Sequence, residues 1–381
     1  MVVKLKGNTA QRAILCAGLG IGMKSIVFHV GMPKCATTTI QDFLTSQGAW
    51  LEERGFCYKK HPDDPTENQG NAAQLAEYAM NGTRAQVLEH LDFFLNCEGN
   101  VILSSEMLFG LGRGNGFETI QQEVLRRGRE LRVIVYIKRQ DLWIESDYKQ
   151  HVKDGNLWQG DFAQLLAMRQ SKRTLDYNFT LTNWSNQVGH ARMSAVALNL
   201  SQDEGYAIDS FLSLLGLPRP EAEIAAPRQN VSPSASATEA ARQIKRQLIG
   251  AGMAPDDIRN LIQRFLESVR DVSLDVPGDG FLSPVARRAL LSELAASNAE
   301  LSRSFLGGKP AFDDLPQDDM ADWVPPTERV PAILAGVIAK SLRQERQDDR
   351  SPVQSDAPLT ASGQPEGAVS LLARMKSLLH R

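Results

Sequence analysis

Residues 25–41 read SIVFHVGMPKCATTTIQ. The first six, SIVFHV, form an apolar, β-branched run closed by Gly31. That is the pattern of a strand buried on both faces of a parallel sheet. Over residues 38–54, Ile40, Phe43, Leu44 and Leu51 fall at helical spacing. The order is therefore strand, tight loop, helix. The loop holds Gly31, Pro33, Lys34, Cys35 and Ala36, and Thr37, Thr38 and Thr39 open the helix. The first amides of a helix have no partner within it, and the helix dipole adds partial positive charge there. Lys34 adds a full charge and the threonines add hydroxyl donors. Such a loop is a cradle for a phosphate-like anion. It departs from GxxxxGK[ST], because Lys34 comes three residues after Gly31 and Cys35 follows it, so no hydroxyl stands next to the lysine to hold Mg²⁺.

Outward from this segment, further strands are expected at 56–58, 101–104 (VILS), 131–137 (LRVIVYI) and 193–199 (MSAVALN). A helix at 141–153 follows the fourth. Strands alternating with helices imply crossover connections and a parallel sheet covered on both faces. The expected fold is α/β, a three-layer P-loop fold with a parallel sheet of about five strands and a helical C-terminal cap. From about residue 205 the pattern is helical, at 206–215, 235–249, 255–269 and 284–305. Residues 309–328 are acidic and contain proline, reading as a loop that closes the domain. The expected division is an N-terminal extension at 1–24, the P-loop domain at 25–308, a closing segment at 309–343, and a disordered linker with a short amphipathic tail at 344–381.

Composition bounds the function. Of 381 residues, 42% are hydrophobic and 23% charged, enough for a packed core. Lys plus Arg number 42 against 45 for Asp plus Glu, a net charge of -3, which argues against a general nucleic-acid binder. The four cysteines (Cys16, Cys35, Cys57 and Cys97) form no CxxC, and the six histidines no HxxxH, so neither a disulfide scaffold nor a zinc site is expected. No stretch approaches the ~20 apolar residues that span a bilayer. Residues 13–23 (AILCAGLGIGM), preceded by Lys4, Lys6 and Arg12, read either as a targeting run or as leader to an internal start at Met23. The expected location is cytoplasmic, with peripheral attachment to a membrane left open.

Three segments together resemble the PAPS-dependent sulfotransferases. Residues 29–41 resemble the 5′-phosphosulfate loop of the bacterial members, with Ala36 where the family usually has glycine. Residues 101–108 (VILSSEML) resemble its strand ending in Ser-Ser-Glu. Residues 133–150 (VIVYIKRQDLWIESDYKQ) resemble its 3′-phosphate motif, a basic residue at a strand end with a serine eight residues on. Ser146 lies eight residues after Lys138, so either Lys138 stands for the family's arginine or Arg139 serves in a shifted register.

The resemblance implies transfer of a sulfuryl group from PAPS, without a metal, to a hydroxyl of a carbohydrate, glycolipid or small alcohol. It implies that Lys34 stabilises charge on the bridging oxygen and that the loop, with Thr37, Thr38 and Thr39, holds the 5′-phosphate. Lys138, Arg139 and Ser146 would hold the 3′-phosphate, and Glu106 would be the base. The alternatives are a P-loop kinase and a non-catalytic nucleotide- or anion-binding protein. His29, inside the strand, reads as a core histidine. Residues 110–116 (GLGRGNG) read as a flexible loop, and most of the tryptophans as core.

Overall fold

A computed structural model describes residues 24–64, 70–153, 157–203, 205–221, 232–270, 280–313 and 323–348. The strands are β1 (Ser25–Gly31), β2 (Phe56–Cys57), β3 (Asn100–Ser105), β4 (Glu130–Lys138) and β5 (Met193–Leu198). They form one sheet, ordered β2-β3-β1-β4-β5, with every neighbouring pair parallel. The α/β class and the five-stranded parallel sheet are as the sequence implies. β1 pairs with β3 on one side, Val30 opposite Ser105, and with β4 on the other, Gly31 opposite Tyr136. The chain leaves β1 for one side of the sheet and later crosses it to reach β4. The carboxyl ends of β3, β1 and β4 thus stand at one level where the winding changes direction, the place at which such sheets bind ligands.

The helices are α1 (Thr37–Ser46), α2 (Gly48–Glu52), α3 (Ala73–Asn81), α4 (Arg84–Leu95), α5 (Gly116–Arg126), α6 (Gln140–Lys153), α7 (Phe162–Ser171), α8 (Tyr177–Val188), α9 (Tyr206–Leu215), α10 (Ala235–Gly250), α11 (Pro255–Arg270), α12 (Pro284–Phe305) and α13 (Pro326–Asp348). All seven residues of β1 are buried, because both faces of the sheet are covered. Phe28 packs edge-on to Phe117 of α5, which packs in turn on Trp184 of α8. His29, pointing to the other face, meets Tyr136 and Phe211 of α9, while the Tyr136 hydroxyl donates to the Ala207 carbonyl at 3.0 Å. Helix, sheet and helix make three layers.

The described chain separates into two compact units. The first holds the sheet, α1–α5, α7–α9, α12 and most of α6. The second holds α10, α11 and α13, with Ile258, Ile262, Phe265, Val330, Ile333 and Val337 among its buried side chains. The C-terminal helices are thus divided, α9 and α12 belonging with the sheet. Three local expectations are corrected. Residues 38–54 form two helices that break at Gln47. Residues 107–113, half of them within the expected flexible loop, form a packed 3₁₀ helix, in which a Cβ on Gly112 would sit 2.2 Å from the Trp184 ring. Helix α13 occupies the end of the expected closing loop and the start of the expected linker. The targeting run and the amphipathic tail lie outside the described residues.

His29 is wholly buried. Its Nδ1 lies 2.8 Å from Ser104 Oγ, and its Nε2 has no hydrogen-bond partner. Burial lowers its pKa from 6.5 to about 3. Above pH 6.5 neither the folded nor the unfolded chain holds the proton; between 6.5 and about 3 only the unfolded chain does. Stability therefore falls as pH falls through that window, by up to about 1.4 kcal/mol per pH unit. Denaturant unfolding at pH 7 and pH 5 should show a smaller loss in His29→Leu than in the parent chain; equal losses would assign the acid sensitivity elsewhere.

Candidate functional site at the carboxyl edge of the sheet

Between β1 and α1 the chain reverses over Met32–Ala36. The Cys35 amide donates to the Met32 carbonyl at 3.1 Å, and Lys34 and Ala36 take left-handed backbone angles, φ 66° and 56°. Non-glycine residues rarely adopt this region, and where they do the strain clusters at functional sites. Ala36 is the N-cap of α1 and no side chain caps the helix, so its first amides are left for a ligand. A Cβ on Gly31 would stand 2.0 Å from Thr37 Cγ2, so the strand must end in glycine for α1 to start this close. The loop's far side is pinned, because Trp143 of α6 donates its indole N–H to the Pro33 carbonyl at 2.7 Å.

The structure brings the sequence-derived residues to this edge from three directions. Lys34 is exposed and makes no hydrogen bond or ion pair among the described residues. Thr37 is buried, and its hydroxyl donates to Glu106 Oε1, just past β3. That proton is engaged, so Thr38, which is exposed, and Thr39, half-buried, are the threonines free to donate to an anion. Ser104 and Ser105 are buried and locally engaged: Ser104 Oγ meets His29 and Gln41, and Ser105 Oγ accepts the Met107 amide. Cys35 lies wholly inside. Burial pushes its thiol up to about 12, Lys138 partly opposes this and Glu106 reinforces it. Cys35 is therefore a neutral thiol, not a nucleophile, and it feels the charges of both neighbouring strand ends.

At the end of β4 the two basic neighbours take different partners. Lys138 Nζ donates to Ser146 Oγ at 3.0 Å, and the Tyr177 hydroxyl donates to the Lys138 carbonyl at 2.8 Å. Burial lowers the lysine's pKa from its usual value. Arg139 is turned away into an ion pair with buried Asp141, at 2.8 and 3.1 Å. Arg287 of α12 bonds the same carboxylate and reaches Glu145 at 2.8 Å. Burial raises the Asp141 pKa, but the two guanidiniums outweigh it and hold the group below its usual value. Arg139 also lines a cavity of about 590 Å³ with residues of α12 and the 308–313 segment. Trp143 and Trp184 are buried in the core. Trp143 and Arg287 were missed as site residues, since nothing in their spacing marks a side chain that reaches across to another element.

No protein-family model matches the chain, and no solved structure matches it. The chain is similar to an uncharacterized protein of Archaeoglobus fulgidus, 29% identical over 213 residues, which are 56% of this chain and 55% of that protein. The chain thus spans about half the length of the curated relative that it matches.

The left-handed angle at Ala36 has a direct test. Glycine adopts it without steric cost, although it also frees the unfolded chain. Ala36→Gly should raise unfolding stability by about 0.5–1 kcal/mol, measured by denaturant titration. A loss of stability would rule out the angle.

Proposed function

We propose that the chain is a sulfotransferase that moves a sulfuryl group from PAPS to a hydroxyl, with a carbohydrate or glycolipid as the acceptor class. One observation carries the reading: Lys34, Glu106 and the Lys138–Ser146 pair converge at the carboxyl ends of β1, β3 and β4. An anion cradle, a carboxylate and a second cationic pole at one edge are what a donor with two phosphate groups and a hydroxyl acceptor require.

On this reading each residue has one role. The open amides of α1, Thr38 and Thr39 hold the 5′-phosphate, and Lys138 with Ser146 holds the 3′-phosphate. The acceptor oxygen forms its bond to sulfur while the bond from sulfur to the bridging phosphate oxygen breaks, and PAP leaves. The acceptor's proton passes to Glu106, which the Thr37 hydroxyl orients. Lys34, exposed and unpaired, neutralises the charge that grows on the bridging oxygen. Positioning and charge stabilisation dominate transfers with loose transition states. None of these steps uses a metal ion.

Calorimetric titration tests the donor. PAP should bind in the presence of EDTA; binding of ATP alone, and only with Mg²⁺, would point to a kinase and end the reading. Lys138→Ala should weaken PAP binding about 10- to 100-fold, the loss of a charged hydrogen bond, while Lys138→Arg retains it. Arg139→Ala should cost about 3 kcal/mol of stability, because it strips a partner from a buried carboxylate. Should Arg139→Ala weaken PAP binding in a chain of unchanged stability, the register is the other one.

Turnover separates the two chemical roles. Lys34→Ala should lower kcat about 100-fold or more, as expected when one preorganised electrostatic group is lost. Glu106→Gln should leave PAP affinity intact and lower kcat by about 10² to 10⁴. Normal turnover in Glu106→Gln would remove it as the base.

A further inference from the structure

Away from the sheet edge, the loop after β2 and helix α4 bring two histidines together. The His61 and His90 rings lie 3.9 Å apart between centroids, tilted by 35°. His90 is 2% exposed, and neither of its ring nitrogens has a hydrogen-bond partner. Buried imidazoles ordinarily satisfy at least one nitrogen, so an orphaned pair calls for a physical reason. One donor atom each of His61, Asp63 and His90 lies within 4.8 Å of the others. His90 Nε2 also lies 3.7 Å from Asp64 Oδ1, too far for a hydrogen bond. Two ligands on one zinc ion, at ~2.1 Å bonds and a tetrahedral angle, stand about 3.4 Å apart.

The surroundings suit a cation. Asp64 is buried, and its carboxylate accepts the His61 amide at 3.0 Å and the Gln74 amide at 3.3 Å, which pins the loop. The Asp63 amide donates to His61 Nδ1 at 3.1 Å, so that nitrogen carries the ring's free lone pair, and a metal bound there takes the place of the amide. Asp63, Asp64 and Glu89 supply negative charge beside the rings. Tyr78, Phe93 and Phe94 wall the rings in.

We propose that His61, Asp63 and His90 bind one divalent transition-metal ion, zinc above all, with Asp64 orienting the loop beside it. Two imidazoles and a carboxylate select such a metal over Mg²⁺ or Ca²⁺, which prefer oxygen ligands. Asp63 is exposed, so the fourth position opens to solvent or to a small anion. The same loop carries Tyr58 and Lys60 to a pocket of about 190 Å³ shared with Gln41, Asp42 and Asn71 of the sheet unit. The ion would hold that wall in place. The site is independent of the proposed transfer chemistry.

The test uses the full chain, stripped with EDTA and titrated calorimetrically with Zn²⁺ alone, with Co²⁺ as a coloured probe. One equivalent should bind, Tm should rise with added Zn²⁺, and the Co²⁺ form should absorb in the visible as a four- or five-coordinate nitrogen and oxygen site does. His61→Ala and Asp63→Asn, both at the accessible side, should fold and weaken binding by more than the about 10- to 100-fold seen for outer partners. His90→Gln should abolish it. A Cys57→Ser, Cys97→Ser double variant should bind as the parent does, because those thiols, 2.9 Å apart, are the competing zinc ligands. Unchanged affinity in His61→Ala, loss of binding in the cysteine variant, or absence of a bound equivalent would each overturn the site.

Discussion

A strand with neighbours on both sides and helices on both faces has no solvent to satisfy its backbone, so β1 must be fully paired with β3 and β4. That requirement sets the level at which three strands end. It also forces the chain to turn sharply once β1 stops, since continuing straight would leave the sheet without a partner. The strained angles at Lys34 and Ala36 and the close start of α1 follow from this confinement. The cradle is thus a by-product of how the central strand is buried.

The electrostatics beside it follow a similar logic. Two guanidiniums, Arg139 and Arg287, share two carboxylates, Asp141 and Glu145, at the start of α6. Such buried charges are tolerable only when closely paired. The network holds α6 by its first two turns and ties it to α12. It also withdraws Arg139 from the edge and leaves Lys138, the one of the two basic neighbours whose partner is a hydroxyl rather than a carboxylate.

Much of this was legible in the sequence, for physical reasons that differ by element. Strands β1, β3 and β4 hold apolar, β-branched runs that are buried on both faces, and such runs stand out in the sequence. Helices α9 and α12 matched the expected bounds because proline and glycine punctuate them. The expected closing loop runs to residue 328 and the expected linker starts at 344, so each overlaps one end of helix α13, which has Pro326 at its start and tolerates Pro331 inside. Residues 110–116 read as flexible for their glycines, of which Gly112 is required by close packing against Trp184. In the candidate site, the loop and the strand ends were visible as motifs. The ion pair that engages Arg139 was not, because it depends on where Asp141 and Arg287 stand. The pairing of Thr37 with Glu106, and of His61 with His90, joins residues remote in sequence and carries no local signal.

The bond from Trp143 to the Pro33 carbonyl has a consequence of another kind. Trp143 sits on α6 five residues beyond Lys138 and three before Ser146, so the indole links the first loop to the helix that carries Ser146, the hydroxyl partner of Lys138. That loop and that helix cannot drift apart without breaking a part-buried hydrogen bond. The edge of the sheet is therefore braced rather than hinged, the loop after β1 and the start of α6 keeping one spacing.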